Sequence, residues 1–200
     1  MYYIRMATSV KKPSEIQCPQ VSWDELVAAA RPADMIFEWS EDLIADAIEA
    51  ITDGPSHVIQ LATFPQFDPQ MYEFEAVFAF GVRLLPISHY SHDKGWRVLC
   101  RRTGMTASDV QTVTGRALTM LGRQYEVVEE LEIAASKIAP WVKIGETDDR
   151  VFCSGLVQYN FATSSVAFPP VPEGNATPVF EYEDAGTEVI CKCSPPSLAL

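Results

Sequence analysis

The chain has 200 residues, a formal net charge of −12 and a sequence pI near 4.6, with 48% apolar and 10% aromatic residues. That length and apolar content suffice for one folded unit with a sizeable core. The acidic balance leaves no clustered Lys and Arg for phosphate backbones or anionic lipid, so nucleic acid and membrane surfaces are disfavoured as partners.

Met1 to Gln20 carries Arg5, Lys11, Lys12 and Glu15 in place of the apolar run of a signal peptide. No stretch approaches the roughly 20 apolar residues that span a bilayer. The expectation is a protein with no membrane span, cytoplasmic as synthesised. After this polar leader, Ser22 and Glu25 have the spacing of a capping box, which predicts a short helix from Trp23 to Ala30, stopped near Pro32. Asp34 to Glu38 reads as a short apolar strand. Ser40 can cap a second helix, with Leu43, Ile44, Ala47, Ile48 and Ile51 on one face and Glu41, Asp42, Asp46 and Glu49 on the other. Asp53-Gly54-Pro55 ends it.

Strands are predicted over His57 to Thr63, Met71 to Phe80 and Trp96 to Arg101. In the second, Glu73 and Glu75 share one face, while Tyr72, Phe74 and Ala76 share the other. Thr106 and Asp109 open the clearest amphipathic helix, which Gly122 closes, and a further helical stretch over 127–138 ends at Pro140. Cys153 falls in the first turn of another helix, with Leu156, Val157 and Phe161 at helical spacing. Short helices among short strands, without regular βαβ alternation, predict an α+β fold with a small, mainly antiparallel sheet.

Five cysteines, Cys18, Cys100, Cys153, Cys191 and Cys193, are an odd number without framework spacing, so reduced thiols are the simpler assumption. Cys191 and Cys193 stand too close for a zinc knuckle and have no second pair or nearby His, so no metal is expected there. A cysteine acts as a nucleophile only as thiolate, a form that a helix N-terminus and a nearby imidazolium stabilise. Cys153 alone has such a context. Its partner must be a histidine, oriented in turn by a third polar group. His57 opens a strand directly after a turn, whereas His89 and His92 lie in what reads as an exposed loop, which favours His57. The bland alternatives are a core cysteine and a core histidine bonded to backbone. The run of Glu126, Glu129, Glu130 and Glu132 reads as a solvated helix face.

Four ordered patterns resemble the circularly permuted NlpC branch of the papain-like cysteine hydrolases, the group of YiiX-like proteins. They are Pro32-Ala33-Asp34-Met35-Ile36-Phe37, leading to Pro55-Ser56-His57-Val58; Phe74-Glu75-Ala76 with Gly81-Val82; Leu121-Gly122-Arg123-Gln124-Tyr125; and Phe152-Cys153-Ser154-Gly155-Leu156-Val157. His57 preceding Cys153 is the permuted order. Gly155 stands where relatives commonly carry Glu, and Ala33 where they carry Gly. The resemblance implies a papain-like fold with a small antiparallel sheet or partial barrel flanked by helices. It divides the chain into a leader and short helix over 1–31, a catalytic domain over 32–168, and a C-terminal extension over 169–200.

The same resemblance implies a cysteine peptidase or amidase with Cys153 as nucleophile, His57 as base and Glu75 as the group orienting it, Glu73 taking that place if the register is displaced. The backbone N–H of Cys153 would serve the oxyanion. The substrate would be a small peptide-like amide of the cell-wall peptide class, and no cofactor is needed. Two further expectations stand beside it. One is a thioesterase or acyltransferase using the same couple on an acyl substrate; the other is an inactive papain-like binding or structural module. Without a signal peptide, a cell-wall role requires release by lysis, carriage in a virion or another export route.

Overall fold

The structure is a computed structural model that describes residues 12–40, 49, 54–77, 80–90, 95–125, 150–170 and 177–194. The predicted helices over 41–51 and 127–138 lie outside the described residues, Glu49 apart, as does His92, while Ser40, expected as a helix cap, ends a strand. The strands are β1 (Gln20–Val21), β2 (Met35–Ser40), β3 (His57–Phe64), β4 (Asp68–Val77), β5 (Gly81–Pro86), β6 (Gly95–Arg102), β7 (Gln124–Tyr125), β8 (Arg150–Val151) and β9 (Thr187–Cys193). The helices are α1 (Trp23–Ala29), α2 (Ala107–Thr119), α3 (Cys153–Phe161) and α4 (Pro178–Tyr182), with short 3-10 turns at Pro13–Glu15 and Ile87–Tyr90.

Seven strands form one mixed sheet in the order β1-β9-β6-β2-β3-β4-β5, with β7 and β8 pairing separately. Every pair in the large sheet is antiparallel except β1 with β9. The α+β class and the antiparallel pairing agree with the sequence-based expectation, although seven strands make more than a small sheet. The additional strands come from both ends: β1 belongs to the leader, and β9 to the stretch set apart as a C-terminal extension.

Apolar residues cover both faces of the central strands. On one face Met35, Phe37, Val58, Val98 and Cys100 pack with Val113 of α2 and Val157 and Phe161 of α3. On the other, Ile36, Ile59, Leu61, Leu99 and Cys191 pack with Leu26 of α1. Successive residues of a strand point to opposite faces, so β2 must be apolar on both parities, and Met35-Ile36-Phe37 is. Capping boxes start both amphipathic helices as predicted. Ser22 and Glu25 close that of α1, and Thr106 and Asp109 that of α2.

Candidate functional site

Cys153 is the first residue of α3. Phe152 holds the N-cap in extended backbone (φ −105°, ψ 171°) and has no side-chain oxygen to offer, and no acidic residue stands in the first turn. The partial positive charge of the helix start is therefore not offset by the helix's own side chains where the sulfur sits. The helix is fixed by its buried face, Leu156, Val157, Asn160 and Phe161. It is also fixed by a polar contact, in which Asn160 Nδ2 donates to Gln60 Oε1 across 2.8 Å. Gln60 belongs to β3, so one hydrogen bond ties the helix that begins with the cysteine to the strand that begins with the histidine.

His57 is the first residue of β3, and Ser56 sets its place. The Ser56 N–H donates to the Glu38 carbonyl (2.9 Å), the Ser56 hydroxyl donates to the same oxygen (3.2 Å), and the Ser40 N–H donates to that hydroxyl (3.3 Å). These bonds clamp the start of β3 to the end of β2 and pair His57 with Glu38. The histidine side chain is 20% exposed. Its Nε2 lies 3.4 Å from Glu75 Oε2, and Cys153 stands near enough for its charge to act on the ring.

Glu75 is 1% exposed and divides its oxygens: Oε2 faces His57, and Oε1 accepts a 2.6 Å hydrogen bond from Arg83 Nε. Arg83 stands directly opposite Glu75 in the β4–β5 register and lies over the Phe80 ring at 4.9 Å. A second pair lies on the other side of His57. Arg97 Nε donates to Glu38 Oε1 at 2.6 Å, and the two are cross-strand neighbours on β6 and β2. From β6 to β5, five adjacent strands thus supply Arg97, Glu38, His57, Glu75 and Arg83 in alternating charge. Burial disfavours the imidazolium. The charge on Cys153, hydrogen bonds to Cys153 and Glu75, and the field of Glu38 outweigh it and hold the His57 pKa well above the ordinary histidine value.

The structure brings Cys153, His57 and Glu75 together. Glu73 instead is fully buried with neither oxygen hydrogen-bonded, and burial, then the neighbouring Glu38 and Glu75, push its pKa up to about 9. His89 is exposed in the 3-10 turn. The other thiols differ from Cys153 in their surroundings. Burial raises the pKa of Cys18, Cys100 and Cys193, and that of Cys191 to about 11, which disfavours their thiolate forms. The sequence reading quoted Ser56 only within the pattern around His57 and gave no role to Glu38, Arg97, Arg83, Gln60 or Asn160. Of these Arg83 carried a local signal, since the antiparallel pairing of β4 with β5 places residues 75 and 83 opposite each other.

No protein-family model matches the chain, and no curated protein does. A solved structure does. The fold resembles that of YiiX. The crystal structure of the metalloprotein YiiX from Escherichia coli O157:H7 superposes with a TM-score of 0.63 at 19% identity, covering 82% of this chain and 98% of that one. The likeness to YiiX is one of fold. Among the described residues no three His, Cys, Asp or Glu side chains gather as metal ligands, and the carboxylates nearest His57 are each bonded to an arginine. This donor set does not fit a metal. Among the described residues, too, no helix is long and apolar enough to cross a membrane.

Proposed function

We propose that the chain is a cysteine hydrolase of the permuted NlpC, papain-like kind, with Cys153 as nucleophile, His57 as acid and base, and Glu75 as the residue that orients His57. The observation that carries this reading is the position of His57, 3.4 Å from a buried carboxylate and within the field of a cysteine at a helix N-terminus. Glu75 Oε2 at Nε2 fixes the ring and favours its protonated form, and the helix start favours negative charge on sulfur.

In the reaction, the thiolate adds to an amide carbonyl carbon. The oxyanion forms near the Cys153 N–H, which as the first N–H of the helix has no intrahelical acceptor. The carbon–nitrogen bond then breaks as the imidazolium gives its proton to the leaving amine, and a thioester on Cys153 remains. His57 next takes a proton from water, the hydroxide adds to the thioester, and the carboxylic acid leaves as the thiolate returns. A peptide-like amide of the cell-wall class is the proposed substrate; acyl thioesters are the alternative to be assayed beside it.

One observation favours a second reading. Cys153 is only 1% exposed and belongs to the apolar cluster between α3 and the sheet, as an inert cysteine in a binding module would. Alkylation by iodoacetamide across pH, read by peptide mass spectrometry, separates the two. A hydrolase labels fast at Cys153 near about pH 6, where an ordinary thiol is almost wholly protonated, and loses that labelling in His57→Ala. Slow labelling that is indifferent to His57 selects the module.

A further inference from the structure

The reaction above uses one of the two carboxylates beside His57. Glu38 occupies the opposite side. It is the cross-strand partner of His57 on β3 and of Arg97 on β6, and Ser56 holds its carbonyl through two hydrogen bonds. Its side chain is 12% exposed and that of Arg97 is 8% exposed, so neither charge is well solvated. Arg97 is held in turn, with its guanidinium 4.7 Å from the centre of the Trp23 ring on α1. A buried ion pair costs desolvation that its own attraction does not fully offset, and an apolar pair of similar volume is often as stable. The presence of the pair next to an imidazole therefore calls for a role beyond stability.

We propose that Glu38 is a positioning residue for the Cys153 and His57 couple, a second negative charge acting on the imidazole from the strand opposite Glu75, with Arg97 setting its strength. The proposal rests on the assignment of His57 as the partner of Cys153. Among the described residues, the charged and titratable groups acting on the ring are Glu38 from β2, Glu75 and Glu73 from β4, and Cys153 from α3. Arg97 on β6 and Arg83 on β5 stand one strand further out. The two arginines mirror each other. Each fixes one carboxylate and takes up part of its charge, so the ring feels two attenuated fields.

The test uses changes of opposite sign. Glu38→Gln removes a negative charge facing the ring and lowers the pH at which His57 titrates, by roughly one unit. Arg97→Gln removes the charge that attenuates Glu38 and raises it. Glu38→Asp restores most of the wild-type value. A merely structural pair would behave otherwise, since both losses would loosen the site and move the ring the same way. The titration is followed by NMR on protein labelled at histidine, with His57 assigned by its loss in His57→Ala, and Cys153 alkylation is measured on the same samples. The double variant Glu38→Gln with Arg97→Gln, which leaves no buried charge unpaired, guards against misfolding and is expected to follow Glu38→Gln. Displacement in one common direction, or an unmoved His57 in Glu38→Gln while Cys153 labelling still depends on His57, overturns the role of Glu38 alone. Labelling indifferent to His57→Ala overturns the couple itself, and this role with it.

Discussion

Glu73 and Glu75 leave β4 on the same face, two residues apart, yet only Glu75 has bonded partners, His57 and Arg83. Glu73, raised to about 9 first by burial and then by the two acidic neighbours, holds a proton in the folded protein at neutral pH. Unfolded, it would ionise near about 4.3. The folded state therefore binds the extra proton. The contribution of Glu73 to stability is fully present below the unfolded value and is lost as pH rises toward the folded one. Glu73→Gln keeps the shape of the neutral acid without that loss. It should be more stable than the parent by on the order of 2 kcal/mol at pH 7, the difference growing from about pH 5 to about pH 9. Urea melts across that range check it; parallel curves would mean that Glu73 is ionised when folded.

At the scale of elements, the site depends on how α3 is seated on β3 and how the β4–β5 hairpin is closed. Asn160→Ala leaves the buried amide of Gln60 without its partner and should cost about 1 to 3 kcal/mol, together with a slower, less His57-dependent alkylation of Cys153. Gly81 has φ +72°, and a Cβ there would stand 2.1 Å from the Arg123 carbonyl oxygen, which accepts the Val82 N–H. Gly81→Ala should therefore unfold at a markedly lower temperature, because neither the backbone angle nor the close approach tolerates a side chain. An unchanged melting temperature would show that the approach of residue 123 to β5 is not tight.

Elements with local causes were legible in the sequence. The two capping boxes, the helix that starts at Cys153 and the strand that starts at His57 each follow from spacing within a few residues. The alternating charges were not legible, because Arg97 and Glu38 are 59 residues apart and meet only once β2 and β6 have paired. The strand β9 was hidden by composition. Its Thr187-Glu188-Val189-Ile190-Cys191-Lys192-Cys193 follows a stretch rich in Pro, Gly, Glu and Asp.

Over the whole molecule, the two ends of the described chain meet in one place. β1 runs parallel to β9, and the Lys192 ammonium donates to the carbonyls of Pro13 (2.9 Å), Ser14 (3.3 Å) and Ile16 (2.9 Å). All three of its donors are thus used in tying the leader down. Lys192→Met would withdraw the ammonium from all three carbonyls, leaving those of Pro13 and Ile16 only the N–H groups of Ile16 and Cys18. The expected outcome is faster limited proteolysis between Pro13 and Cys18, with a folded sheet and Cys153 alkylation little changed; loss of the whole fold would show that the leader is integral to it.

The place of β9 between β1 and β6 also has a bearing on biosynthesis. His57, Glu75 and Cys153 all leave the ribosome before the strand that covers the outer edge of β6. Until residues 187–193 emerge, β6 presents an open row of backbone donors and acceptors, flanked by the apolar Val98, Leu99 and Cys100. A nascent chain at that stage offers a template for pairing with its neighbours on the same polysome. Its His57 and Cys153 thus belong to a sheet that synthesis has yet to finish.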